Sequence, residues 1–455
     1  MTPVKKKSAK NVVDPVAELM TKRNRLTELL TLAAQIEHDV MVQYLFAAAS
    51  LKKSAAEGGV TYKQLEMMRG WGTNMMMVAR QEMEHLGYVC NLLTAIGEAP
   101  ILRRPNFPIA GEKYLLNQPS VLTAFSIETA RRFVYYEMPN QLSSDHESFL
   151  KKHDKNFKPS DYDGIYRLYK EVESLFEQID AIDRDGLFIG PPSAQFRSGG
   201  NSLLGSGVAR GLIFPQPGQA AQQPIYDISM SPVHNLPSAQ KAINQIIEEG
   251  EGASIHSETS HFARFFKMYK ELIEESGNDP KFKPARAVVS NPRVPDGTPP
   301  VQGVNYITNA DTQKVMKVFD QAYSTMLLML MRYFAHTDES NEDLIGLQNT
   351  VFFPMMTVGI RPLAEVLTQL PARDPGSGVA GPAFVIPKEV QLLPHRESAW
   401  RVILGELQLL ASMAQEAANI KKFSPEIQNR LQLTYENFAR MAMNFQEAMD
   451  VRKTK

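Results

Sequence analysis

The 455-residue chain has one cysteine, Cys90, and no surplus of either charge. A single cysteine excludes a disulfide framework within the chain. It also excludes zinc or iron–sulfur sites built from several thiolates. Any metal must therefore be held by histidines and carboxylates. Lys plus Arg number 49 against 50 Asp plus Glu, a net charge of -1. That balance gives no electrostatic reason to expect a nucleic-acid partner. Long apolar runs are also missing. The strongest, from Tyr323 to Leu330, ends at Met331 and Arg332, well short of the roughly 20 residues a membrane span needs. The start, "MTPVKKKSAK", is basic with no apolar segment behind it, and reads as a solvated tail over residues 1–16 rather than a signal peptide. With so little cysteine, a reducing cytoplasm is the expected compartment.

What is present is helical periodicity. Apolar residues recur every three to four positions almost throughout, and strand-like alternation is scarce. The expected fold class is all-α. Helices are expected near residues 16–53, 61–96, 119–138, 161–184 and 238–276. A Pro-rich connector at 279–310 leads to a C-terminal helical region, 311–455, with helices near 311–335, 341–370, 397–420 and 424–450. The stretch 185–236 is rich in Gly, Pro, Ser and Gln. Its apolar residues Phe188, Leu203, Leu204, Ile213, Phe214, Ile225 and Tyr226 suggest a packed loop covering a site.

Two helices repeat one motif. "QEMEHLGY" places Glu82 three residues before His85, and "SETSHFARF" places Glu258 three before His261. Residues at i and i+3 share a helix face, so each pair can serve one metal. Dinuclear carboxylate bundles use two such Glu-x-x-His helices and one Glu from each of two others. The spacing alone also arises by chance; position within the helix is more telling. Glu82 and His85 interrupt the stripe Trp71, Met75, Val78, Val89, Leu92. Glu258 and His261 follow Ile247, Glu251 and Ser254 and precede Phe265 and Met268. Charged groups in core positions are costly unless paired or metal-bound.

The first helix adds Glu37 in the stripe Leu26, Leu30, Ala33, Val40, Tyr44, Ala47. Tyr44, two turns on, is the expected hydrogen-bond partner of Glu37 and a candidate catalytic residue. For the remaining carboxylate, Glu173 in "YRLYKEVESLFEQI" ranks first and Glu137 in "YYEMP" second, with Glu251 a further candidate. Met75, Met76, Met77 and Met83 read as core filler, Cys90 as a small buried apolar residue, and His256 lies off the ligand stripe.

"LLTLAAQIEHDVMVQYLFAA", "ARQEMEHLGYVCNLLTAIG", "YYEMP", "IIEEGEGA", "SHFARF" and "NPRVP" together resemble the ferritin-like domain of imine dimer synthases of violacein- and rebeccamycin-type bisindole pathways. The resemblance spans roughly residues 24–370. It implies a ferritin-like four-helix bundle over residues 17–278, with long loops and the extra C-terminal helices packed on it. It also implies that Glu37, Glu82, His85, Glu258 and His261 are metal ligands. The bisindole enzymes are much longer chains, and "EVESLF" departs from the family pattern. The expected activity is that of a non-haem oxidase or oxygenase. It would use iron, in one or two ions, or manganese, with O2 or peroxide and a small amino-acid-derived substrate. Alternatives are an iron-binding ferroxidase without organic substrate, or a metal-free helical partner protein. Self-association of the chain is left open.

Overall fold

The computed structural model describes residues 15–114, 118–162, 164–196, 230–250, 259–334, 337–340, 343–344, 347, 351–352, 354–376, 378–386 and 391–453. They are mostly helical. Helix α1 (Pro15–Ser50) and helix α2 (Tyr62–Ala95) are the long axis of the bundle and pack along each other. The stripe of α1 is buried over its length, from Leu26 to Ala47. A reciprocal cap starts α2: Thr61 Oγ1 accepts from the Gln64 amide at 3.3 Å, and Gln64 Oε1 accepts from the Thr61 amide at 2.7 Å. Such a cap satisfies two amides that the first helical turn would leave unpaired.

Helix α3 (Ile127–Tyr136) is shorter than its periodicity suggests. The Ser126 side chain caps it by accepting from the Thr129 amide at 3.1 Å. The preceding Ser120 is committed to a backbone bridge with Ile109, 2.9 Å in both directions. Residues 119–126 therefore run outside the helix. Helix α4 (Ser144–His153), capped by Ser143, was not anticipated. Helix α5 (Gly164–Ile182) lies against α1.

The single helix expected over 238–276 is two helices, α6 (Leu236–Glu249) and α7 (His261–Asn278). Gly250, at φ -95 and ψ -120, leaves helical geometry and closes α6. Glycine costs about 1 kcal/mol in a helix interior, which favours a stop here. Ser260 caps α7 by accepting from the Ala263 amide at 3.2 Å, so His261 is the first residue of that helix. Helix α7 packs on α3 and α2, while α6 packs on α5 and α2.

The later chain contributes helix α8 (Ala310–Phe334), a π-helical turn (Met355–Ile360) continuing into α9 (Arg361–Leu367), and the pair α10 (Arg396–Ala418) and α11 (Pro425–Lys453). The last two pack on each other, and α8 packs on α10. Among the described residues the strands are only β1 (Pro292–Arg293) and β2 (Asn305–Tyr306), paired in parallel. Buried apolar residues of the bundle and the later helices form one core. No helix among the described residues is long and apolar enough to cross a membrane. Of the loop anchors named above, Phe188 stacks on Phe176 at 5.9 Å. Leu203, Leu204, Ile213, Phe214, Ile225 and Tyr226 lie outside the described residues.

Candidate metal centre

The middle of α1 and α2 meets three helix ends: the last residue of α6, the first of α7, and the residue that closes α3. This junction gathers Glu37 from α1, Glu82 and His85 from α2, Glu137 just after α3, Glu249 at the end of α6 and His261. Glu37, Glu82, His85, Glu137 and His261 are buried, and the Glu249 side chain is 28% exposed. Glu137 stands there because α3 stops: its amide still bonds Phe133 O at 3.2 Å, and Pro139 follows, which disfavours further helix.

Glu82 is central. One of its oxygens lies 3.0 Å from His85 Nδ1, and the other 2.9 Å from His261 Nδ1. A second carboxylate flanks each imidazole: Glu37 Oε2 at 3.7 Å from His85 Nδ1, and Glu137 Oε2 at 3.3 Å from His261 Nδ1. The two rings stack with centroids 5.4 Å apart. The centre thus has two halves, each an imidazole with its own carboxylate, sharing Glu82 between them. His85 Nε2 faces Glu249 Oε2 at 3.3 Å. His261 Nε2 is buried and has no hydrogen-bond partner among the described residues.

Two tyrosines complete the surroundings. The Tyr44 hydroxyl donates to Glu137 and the Tyr169 hydroxyl to Glu37. Tyr44 does not serve Glu37 as its spacing on α1 suggests, because Tyr169 of α5 takes that place. Phe133 and Phe265 pack on the Tyr44 ring at 4.6 and 4.7 Å, so one wall of the centre is apolar.

The electrostatics favour cations. Burial and Glu82 push the Glu37 carboxyl up to about 7. Burial and Glu137 push Glu82 upward too, but His261 and His85 outweigh them and hold it below its ordinary value. Burial lowers both imidazoles. Glu82, Glu249 and Glu37 nevertheless raise His85 well above its ordinary value, and Glu82 and Glu137 raise His261 to about 10. Burial, Glu137 and Glu82 raise the Tyr44 phenol. Among the described residues four carboxyl groups face two imidazoles; fully ionised, this set of six keeps net negative charge even when both rings are protonated. A buried excess of this kind is stabilised by protons or by metal.

The donor set fits a metal. Atoms each about 2.1 Å from one ion stand roughly 3–4 Å apart, and the four carboxylate–Nδ1 separations of 2.9–3.7 Å match this. Donor atoms of Glu82, His85 and His261 all lie within 4.8 Å of one another. Hard oxygens with imidazole suit iron or manganese.

Glu173, ranked first for the remaining carboxylate, is not in this cluster. It pairs with Lys170, because Tyr169, Val172 and Phe176 take the buried positions of α5. Glu251 and Glu258 lie outside the described residues. Tyr169 and Glu249 were not foreseen. Tyr169 had a signal, since it sits on the apolar stripe that made Glu173 attractive. Glu249 follows Ile246 by three residues, which puts it on the buried edge of α6. Cys90 is buried, as expected.

Comparison with known proteins places this arrangement in a family. The ferritin-like family model matches residues 30–270, and the chain belongs to the ferritin-like family. Two curated enzymes are similar over most of it. Dichlorochromopyrrolate synthase of Lentzea aerocolonigenes is 26% identical over 421 residues, 87% of this chain and 39% of that protein. The 2-imino-3-(indol-3-yl)propanoate dimerase of Chromobacterium violaceum is 27% identical over 379 residues, 78% of this chain and 33% of that protein. The chain therefore spans well under half the length of these relatives. A crystal structure of a ferritin-like protein from Caulobacter vibrioides aligns with 73% of this chain and 93% of that one, at 15% identity and a TM-score of 0.41.

Proposed function

We propose that the chain is a metal-dependent oxidase or oxygenase acting on a small amino-acid-derived intermediate, with O2 or peroxide as the oxidant. The observation that carries this reading is Glu82, whose two oxygens each face a different buried imidazole at 3.0 and 2.9 Å. Glu37 and His85 would hold one side of the site and Glu137 and His261 the other, with Glu82 common to both. Iron is the preferred metal and manganese the alternative. A redox-active ion held there would supply one-electron chemistry toward oxygen.

The protein's own groups have definable tasks. Tyr44 holds a proton at Glu137 and Tyr169 one at Glu37, which fixes the rotamers of both carboxylates. Phe133 and Phe265 keep water from the Tyr44 side. Glu249, the one partly exposed member, lies at the side facing solvent. The two relatives support an amino-acid-derived substrate: one is named as a dimerase of a 2-imino acid, the other as a synthase of dichlorochromopyrrolate. The class of molecule to try first is therefore a 2-imino carboxylate with an aromatic side chain.

The test is oxygen consumption by the iron-loaded protein with a freshly generated aromatic 2-imino acid, beside His261→Ala. Substrate-dependent uptake that is lost in the variant is the expected result. Uptake driven by Fe(II) alone, with the organic molecule unchanged, would replace this reading with a ferroxidase. Equal substrate turnover in both proteins would remove the centre from the chemistry.

A further inference from the structure

Helix α6 meets α2 along a polar seam. Gln81, Glu84, His85 and Tyr88 stand at i, i+3, i+4 and i+7, on one face of α2. Gln245 and Glu249, one turn apart, share a face of α6. Glu84, His85 and Tyr88 are buried. The seam reaches the metal centre at His85, whose Nε2 faces Glu249 Oε2 at 3.3 Å.

Gln245 sits in the middle of the seam. Its Nε2 donates to Glu84 Oε1 and to Glu249 Oε1, both at 3.3 Å. Its Oε1 accepts from the Tyr88 hydroxyl at 2.8 Å. The neighbours demand this orientation of the amide. An ionised carboxylate only accepts, so the NH2 end must face the two glutamates, and the oxygen is left for the phenol. Gln81 holds the other side of Glu249, donating from Nε2 to Oε2 at 3.1 Å. Glu249 thus receives an amide donor on each oxygen.

The arrangement has a consequence for His85. Amide donors favour the ionised form of a carboxylate, and that form can only accept. His85 Nε2 must then carry a proton and donate it to Glu249. Nδ1, the nitrogen facing Glu82 and Glu37, is left to meet a metal. Glu249 needs support to serve in this way. It is the last residue of α6, ahead of the stop at Gly250, and helix ends fray. Gln245 lies one turn further in, where the helix holds the backbone, and is tied to two residues of α2.

We propose that Gln245 is a positioning residue of the metal centre: braced by Tyr88 and Glu84, it holds Glu249 on His85 Nε2 and so fixes the imidazole with Nδ1 turned toward Glu82 and Glu37. The inference rests on the metal-binding reading above. Gln245 touches none of the groups that would hold the metal and acts through Glu249.

Gln245→Met keeps the side-chain length and the helix propensity but loses the contacts to Tyr88, Glu84 and Glu249. Tyr88→Phe withdraws only the phenol. The first readout is NMR of chelator-stripped protein carrying isotope-labelled histidine. The His85 Nε2–H signal, identified by its loss in His85→Ala, should weaken in Gln245→Met as exchange with water quickens, and weaken less in Tyr88→Phe. The second is Co(II) binding, by competition with a chelator and by visible spectrum. Affinity should fall about tenfold in Gln245→Met, the low end for loss of a supporting partner, with an altered spectrum. A Gln245→Met protein that melts lower but keeps the parent's N–H signal, affinity and spectrum overturns the proposal, because the brace then serves helix packing alone. Should Gln245→Met fail to fold, an unaltered signal and affinity in Tyr88→Phe overturns it equally. A parent that takes up no Co(II) sinks the metal reading instead, and the N–H signal still decides whether Gln245 holds Glu249 on His85.

Discussion

Replacing Glu82 by glutamine keeps the shape of the residue and removes the charge shared by both imidazoles. Glu82 lies 3.0 Å from His85 Nδ1 and 2.9 Å from His261 Nδ1, all three residues being buried. Removing one member of a buried ion pair costs about 3–5 kcal/mol. The pH window follows from His261. Burial pulls it down, but Glu82 and Glu137 raise it to about 10, against about 6.5 in an unfolded chain. A raised folded value means that the stabilisation is fully present below about pH 6.5 and is lost as pH rises through about 10. The shift corresponds to about 4 kcal/mol at about pH 7, the same range as the pairwise figure. The substitution also relieves Glu37, which Glu82 helps to push up to about 7. That relief acts where Glu37 would ionise, so it narrows the difference further at high pH. Urea denaturation of chelator-stripped protein is the assay. With a slope of about 3 kcal/mol per M, Glu82→Gln should lower the midpoint by about 1 M near pH 6.5, with a smaller gap near pH 10. A midpoint unchanged at the lower pH, or a gap that widens with pH, would refute the reasoning.

Other substitutions separate the residues around the centre. Glu249→Gln removes the carboxylate facing His85 Nε2 at 3.3 Å; loss of such a supporting partner typically weakens metal binding about 10–100-fold, measurable by competition with a chelator, and unaltered affinity would remove Glu249 from the site. Glu173→Gln loses only the pair with Lys170, so metal content should match the parent and stability should stay within about 0.5 kcal/mol; loss of metal would mean that the carboxylate has a place at the centre after all. Tyr169→Phe frees the Glu37 carboxyl from its hydrogen bond and should destabilise the metal-free protein by about 1 kcal/mol in urea denaturation, whereas a more stable variant would show that this contact is unfavourable.

The sequence made the helical class and the long helices legible, because a buried stripe at three- and four-residue spacing is a property of consecutive residues. The same logic made Glu37, Glu82, His85 and His261 stand out, as polar residues in an apolar stripe. It misled at Glu173. Periodicity says that a position lies near the core, but not which core position meets three other helices. Glu137 falls on an apolar face with Ala130 and Phe133, but its place at the centre also depends on α3 stopping at Tyr136, an ending set by local chain geometry that the stripe does not encode. Gly250 likewise divides a continuous apolar pattern into two helices, and the break is what lets Glu249 and His261 approach the centre from separate helix ends. The pairing of Tyr44 with Glu137 and of Tyr169 with Glu37 crosses from one helix to another, which no spacing along one helix encodes.

The most direct test of the central claim is anaerobic titration of the chelator-stripped chain with Fe(II) and with Mn(II), read as ions bound per chain by plasma mass spectrometry. Two carboxylate–imidazole halves sharing Glu82 predict about two ions per chain, falling sharply in both His85→Ala and His261→Ala. Less than about a tenth of an ion per chain for either metal, or full loading in both variants, would contradict a metal centre at these residues.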